Sequence, residues 1–178
     1  MKKCVFFDRD GIINRSPGPG YVEKWEDLHI QDGFVESLKV AIAHGYVGIM
    51  ISNQQCVGKG IVEKACLEGM HDKLQKKLRE EFGCELLDMY YCPHLADAGC
   101  ECRKPLPGMI LAAAEKHDID LKSSFMVGDR EGDVVTGKVA GCRTILVSED
   151  IKDCAADYCV ESIDELAGIL EEVLRDKS

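Results

Sequence analysis

Two aspartates, Asp8 and Asp10, follow directly on the apolar run Cys4-Val5-Phe6-Phe7 and precede Gly11. Four apolar residues of this kind suit a buried parallel strand, and the glycine lets the backbone turn sharply beyond it. Residues two apart on an extended backbone project to one side, so the two carboxylates converge at the strand's C-terminal edge. In open α/β sheets that edge is where ligands bind. Two like charges held this close are costly unless a cation or a shared proton separates them. An exposed Asp-x-Asp turn is the alternative, and the pair alone does not decide.

Other groups recur at the ends of apolar runs. Met50-Ile51 is followed by Ser52-Asn53-Gln54-Gln55, where a hydroxyl and the backbone N–H groups after it could hold an anion. Phe125-Met126-Val127 ends in Gly128-Asp129, with Asp133 four residues further on, and Lys104 follows a pair of cysteines. Three carboxylates, a hydroxyl and a lysine on one edge suit Mg²⁺, which takes hard oxygen ligands and is usually held by few carboxylates plus substrate phosphate. The chemistry such a set can do is phosphoryl transfer. One carboxylate attacks phosphorus, Mg²⁺ and the lysine neutralise the equatorial oxygens, and a second carboxyl handles the leaving-group proton. At the start of a helix Asp133 can also serve only the helix dipole, so its expected role is a supporting one.

A second cluster lies at 92–102, where Cys92, His94, Cys100 and Cys102 place three thiols and one imidazole within eleven residues. That spacing can close a tetrahedral Cys₃His site for a structural Zn²⁺. The alternative is a loop of reduced cysteines, which would have little to hold it in place. Arg103 and Lys104 follow the last ligand directly, so zinc would fix where both cations point. The other seven cysteines (Cys4, Cys56, Cys66, Cys84, Cys142, Cys154 and Cys159) have no ligand spacing and are expected to be small buried hydrophobes.

Positioning these groups requires alternating elements. Strands are predicted at 3–7, 46–51, 87–91, 124–128 and 143–147, and helices at 33–44, 62–82, 107–117, 131–140 and 163–174. Gly45, Gly83 and Gly141 fall where helix C-caps belong, and Pro105 and Pro107 suit the approach to a helix. Strand followed by helix, repeated, gives a parallel sheet covered on both faces: a Rossmann-like three-layer α/β/α sandwich. The 178 residues are expected to form one domain, 1–178, with the zinc loop as an embellishment and no large cap. Segment 14–32, with Ser16-Pro17-Gly18-Pro19-Gly20, reads as a loop over the site.

The composition excludes other classes. A formal charge of −10 leaves no excess of Lys and Arg for non-specific nucleic-acid binding. No apolar run approaches the ~20 residues of a membrane span, and Met1-Lys2-Lys3 leads into the first strand without a signal-peptide pattern. The expectation is a cytoplasmic monomer acting on a small phosphorylated metabolite, without nucleic acid or membrane as partner.

Asp8-Arg9-Asp10-Gly11, Ser52-Asn53-Gln54, Lys104 and Gly128-Asp129 with Asp133 resemble the four signature motifs of the haloacid dehalogenase (HAD) superfamily of phosphatases. The resemblance spans residues 4 to 147. It implies Asp8 as a nucleophile that forms an aspartyl-phosphate and Asp10 as general acid/base. Ser52 and Lys104 would hold the phosphoryl group, and Asp8, the Asp10 carbonyl and Asp129 would bind Mg²⁺. Cys-x-His…Cys-x-Cys-Arg-Lys-Pro is similar to the branch that holds the heptose-bisphosphate and histidinol-phosphate phosphatases. By that resemblance the substrate is D-glycero-D-manno-heptose 1,7-bisphosphate, losing its 7-phosphate. Histidinol phosphate is second, and a nucleic-acid 3′-phosphate, disfavoured by the charge, third. With no cap, loops must grip the substrate: Gly20 and Tyr21, the Asn53-Gln54-Gln55 turn, Arg103 and Arg130.

Overall fold

A computed structural model of the protein describes residues 1–150 and 154–175. Among these residues six strands form one sheet: β1 (Lys3–Phe7), β2 (Tyr46–Asn53), β3 (Asp88–Cys92), β4 (Phe125–Gly128), β5 (Arg143–Val147) and β6 (Tyr158–Val160). Their order is β3-β2-β1-β4-β5-β6, and every pairing is parallel. β1 lies between β2 and β4, with Val5 opposite both Gly48 and Phe125. The chain winds outward on one side of β1 and then on the other, so the end of β1 is the topological switch point.

Among the described residues six α-helices accompany the sheet: α1 (Asp32–Ala43), α2 (Gln55–Gly58), α3 (Lys64–Lys77), α4 (Gly108–His117), α5 (Glu131–Ala140) and α6 (Ile163–Val173). The period-two alternation of β1 divides the core. Val5 and Phe7 join Phe34 and Leu38 of α1, Leu67 and Leu74 of α3, and Leu166 of α6. Cys4 and Phe6 join Met109, Ile110 and Ala113 of α4 on the opposite face. Phe7 meets Phe34 edge to face at 5.2 Å. The three-layer sandwich expected from the alternating pattern is what the chain builds.

Differences lie at boundaries and in short elements. β2 continues to Asn53, and the predicted helix 62–82 is α3 followed by a π-turn, Leu78–Phe82. Gly83 and Gly141 close their helices in the left-handed conformation, as expected. Neither α2 nor β6 was anticipated. β6 has only three residues, and its pairing with β5 defines it rather than any periodicity of its own. The cysteine expectation fails at three positions. Cys154 and Cys159, five residues apart across the turn into β6, form a disulfide, and Cys66 on α3 is exposed.

Segment 14–32 is a loop with one 3₁₀ turn, Trp25–Asp27, pinned by buried Val22 and Leu28. Gln31 donates its amide to the Gly11 and Ile12 carbonyls and ties the loop's far end to the turn after β1. Among the described residues nothing the size of a separate cap stands over the strand ends, and no helix is long and apolar enough to cross a membrane.

Candidate active site

Three central strands each deliver one group at the sheet's C-terminal edge. Asp8 follows β1, Ser52 is the penultimate residue of β2 and Asp129 follows β4. All three, with Asp10, Lys104 and Asp133, converge as the expectation required. Asp8, Asp10, Ser52, Lys104 and Asp133 line one cavity of about 440 Å³. Gly20, Tyr21, Asn53, Gln55, Arg103 and Arg130 line it too.

Lys104 is the electrostatic centre. Its Nζ lies 2.8 Å from Asp8 Oδ1 and 2.6 Å from Asp133 Oδ1, and donates to the Ile51 carbonyl at 3.2 Å. The ammonium is 8% exposed as a residue, and its two carboxylate partners hold its pKa above the usual lysine value despite burial. Burial pushes Asp8 up to about 7, with the Asp133 charge adding to it against the pull of Lys104. Burial and Asp133 likewise push Asp129 up to about 6. Carboxylates raised this far call for a cation.

Which carboxylates would take that cation follows from their partners. Asp8, Asp129 and Asp133 have ligand atoms within 4.8 Å of one another. Asp133 is already engaged by Lys104 and by the Arg130 N–H, at 3.2 Å. Asp129 Oδ1 is buried and has no hydrogen-bond partner among the described residues. An orphaned anionic oxygen beside a second carboxylate fits a hard cation such as Mg²⁺. The backbone is shaped for this approach. Gly11 has φ of +96°, and a Cβ there would run into the Asp129 carboxylate. A Cβ on Gly128 would meet the Asp133 side chain.

Asp10 is held from several sides. Arg9 grips it through Nε and Nη2 at 3.0–3.1 Å, Asn14 donates at 2.9 Å and Gln54 at 3.1 Å. Gln54 also donates to Ser52 Oγ at 2.8 Å, which leaves the Ser52 proton to be donated elsewhere. Gln54 is 1% exposed and sits behind the cavity, so it aligns Ser52 and Asp10 instead of facing the space a substrate would fill. Arg9 and Asn14, fully buried, were not anticipated. Arg9 was legible in one respect: between two residues facing the edge, an alternating side chain must face the other way.

The second cluster forms as its spacing suggested. Cys92 Sγ lies 3.6 Å from Cys100 Sγ, 3.1 Å from Cys102 Sγ and 3.4 Å from His94 Nδ1. His94 Nδ1 is 3.3 Å from Cys102 Sγ. A tetrahedral zinc with Zn–S of about 2.3 Å needs sulfurs about 3.8 Å apart, so four donors this close fit the ion with slight expansion. The loop is joined to the cavity wall. Arg103 donates to the His94 carbonyl at 3.2 Å and to Gln55 Oε1 at 3.4 Å, and Gln55 donates to the Tyr21 hydroxyl at 3.0 Å. The Gly58 N–H at the end of α2 donates to the Pro93 carbonyl at 3.0 Å.

Known proteins resemble this chain in sequence and fold. A HAD-hydrolase-like family model matches residues 101–166. The D-glycero-beta-D-manno-heptose-1,7-bisphosphate 7-phosphatase of Helicobacter pylori is 42% identical over 135 residues, 76% of this chain and 77% of that protein. The protein of the same name from Pasteurella multocida is 35% identical and covers 96% of this chain and 98% of its own. A crystal structure of the D,D-heptose 1,7-bisphosphate phosphatase from B. bronchiseptica, complexed with magnesium and phosphate, aligns with a TM-score of 0.86 at 27% identity, over 96% of this chain and 98% of that one. Fold, site and relatives together define an enzyme, a phosphoric monoester hydrolase. The chain belongs to the HAD superfamily of phosphatases, and within it is similar to the heptose-bisphosphate phosphatases.

Proposed function

We propose that this protein removes the 7-phosphate of D-glycero-D-manno-heptose 1,7-bisphosphate through an aspartyl-phosphate on Asp8, as one catalytic domain carrying a structural zinc loop. The observation that carries the reading is Asp8 in the cavity wall, paired with Lys104 at 2.8 Å, with Asp10 in the same wall. Asp8 Oδ1 already accepts from Lys104 and from the Arg9 N–H at 2.8 Å, which leaves Oδ2 to attack. As the Oδ2–P bond forms and the ester P–O bond breaks, Asp10 gives its proton to the leaving sugar oxygen. The ionised Asp10 then takes a proton from the water that hydrolyses the acyl phosphate.

Lys104 and the Ser52 hydroxyl neutralise and orient the transferring phosphoryl oxygens. Asp8, the Asp10 carbonyl and Asp129 would hold Mg²⁺, which when bound supplies charge neutralisation at those oxygens. Arg103 and Arg130 in the cavity wall supply cationic partners for the phosphate that is not cleaved. The names of the relatives support a heptose bisphosphate as the substrate, and a cavity of about 440 Å³ falls in the range that small ligands occupy.

The test is trapping with beryllofluoride in Mg²⁺, followed by turnover of both heptose bisphosphate anomers and histidinol phosphate. The adduct is expected on Asp8, abolished by Asp8→Asn, with a heptose bisphosphate preferred. An adduct elsewhere removes the nucleophile assignment, and equal kcat/KM on the three compounds removes the substrate assignment.

A further inference from the structure

Arg9, between the two aspartates, is fully buried, and its guanidinium has two ends in use. Nε and Nη2 grip the Asp10 carboxylate, while Nη1 lies 3.3 Å from Nε2 of His71 on α3. A guanidinium carries only donors, so His71 Nε2 must be the acceptor and the ring proton must sit on Nδ1. His71 is 6% exposed, and its ring stands edge-on to Tyr91 at 5.6 Å. Tyr91 is in turn fixed through its hydroxyl to Glu68 at 2.8 Å. The chain Glu68–Tyr91–His71–Arg9–Asp10 thus runs from the surface of α3 to the edge of the cavity.

We propose that His71 is a positioning residue for catalysis: by accepting from Arg9 it holds the guanidinium fork at the angle that aligns Asp10 with the leaving-group oxygen. A neutral acceptor suits this place. A carboxylate there would compete for the fork and draw Arg9 away from Asp10, whereas an imidazole fixes Nη1 and leaves the positive charge to Asp10. An apolar residue would leave Nη1 buried without a partner, and the fork free to rotate. Burial and the neighbouring Arg9 charge hold the His71 pKa down to about 3, which keeps the lone pair available. Asn14 and Gln54 still reach Asp10 without His71, so misalignment and not complete loss is the consequence.

The inference rests on the proposed acid role of Asp10, and the experiment separates the two. Turnover of heptose bisphosphate, whose leaving alkoxide needs a proton, is compared with that of p-nitrophenyl phosphate, whose leaving phenolate does not. Wild type, Asp10→Asn, His71→Leu and His71→Gln are measured together. For His71→Leu we expect kcat/KM on the sugar ester, which reports leaving-group departure and not the later acyl-phosphate hydrolysis that both esters share, to fall about 10- to 100-fold, with kcat/KM on the aryl ester within about threefold of wild type. His71→Gln, whose amide oxygen can accept from Arg9, should recover most of the loss. Equal losses on both esters, no loss on the sugar ester, or no recovery in His71→Gln overturns the positioning role. If Asp10→Asn fails to separate the two esters, the acid assignment itself falls and the inference with it. A reading on folded wild type needs no variant: ¹⁵N-histidine spectra at pH 7 should give His71 as the Nδ1–H tautomer, and the Nε2–H tautomer overturns the proposal.

Discussion

The side-chain amide of Asn53 and the main chain of Lys104 hold each other by two hydrogen bonds. The Lys104 N–H donates to Asn53 Oδ1 at 3.0 Å, and Asn53 Nδ2 donates to the Lys104 carbonyl at 3.0 Å. The end of β2 is thereby tied across the cavity to a residue that follows no strand. Asn53, beside Ser52, is thus as much a splint for Lys104 as a residue of the cavity wall.

Removing the splint should therefore damage the rate more than the binding. Asn53→Ala loses two hydrogen bonds and is expected to cost about 1–3 kcal/mol of stability. In the proposed mechanism Lys104 meets charge that develops as phosphorus is attacked, so kcat should fall by about 10-fold or more while KM changes little. Steady-state kinetics with a thermal melt check it. A KM effect alone would make Asn53 a substrate contact only.

Removing the zinc proposed for the Cys₃His cluster should act on the same lysine from the other side. Arg103 bonds to the carbonyl of His94, and Lys104 is the next residue, so loosening the four-donor cluster releases both cations. Chelation, or Cys100→Ser, should lower kcat by about 10-fold or more, since small misplacement of a charge-stabilising group is costly. Affinity for Mg²⁺, proposed to bind at Asp8 and Asp129, should hardly change. Full activity in protein verified as zinc-free would separate the loop from catalysis.

Magnesium binding should depend on pH through the raised carboxylates. Asp8 at about 7 and Asp129 at about 6 stand above the ordinary 3.8, chiefly through burial. Between those values and 3.8 the native state binds more protons than the unfolded chain, so metal-free stability falls as pH rises through this window. Mg²⁺ competes with the same protons. Its increment in Tm should accordingly grow from pH 5 to pH 8 in melts with and without the ion. An increment independent of pH would place the cation away from these two carboxylates.

Legibility in the sequence followed the range of each contact. Asp8, Ser52 and Asp129 could be read because each closes an apolar run, and a parallel sheet sends all such ends to one edge. Cys92, His94, Cys100 and Cys102 could be read because their ligand spacing is local. Lys104 was legible through its place after that loop and the motif it shares, not through any strand. The support was hidden. Arg9 meets His71 across 62 positions, and Gln54, adjacent to Ser52, turns inward to bridge Ser52 and Asp10. β6 and the Cys154–Cys159 pair escaped because a three-residue edge strand and a five-residue bridge leave no periodic trace.

His71 should leave its mark on acid stability. An unfolded histidine takes up its proton near 6.5, whereas burial beside Arg9 keeps His71 neutral in the native state down to about 3. In that interval the unfolded chain binds more protons, so the contribution is complete above 6.5 and is lost as pH falls toward 3. At pH 5 the loss relative to pH 7 is about 2 kcal/mol. Asp8 and Asp129 impose the opposite slope in the same range, so the total for wild type is not diagnostic. The difference between wild type and His71→Gln is, because both keep those carboxylates and only one carries the imidazole. Urea unfolding at pH 7 and pH 5 should give a wild-type loss about 2 kcal/mol larger than that of the variant. Parallel curves for the two proteins would mean that His71 protonates as readily in the folded state as in the unfolded one, which its bond to a buried guanidinium forbids.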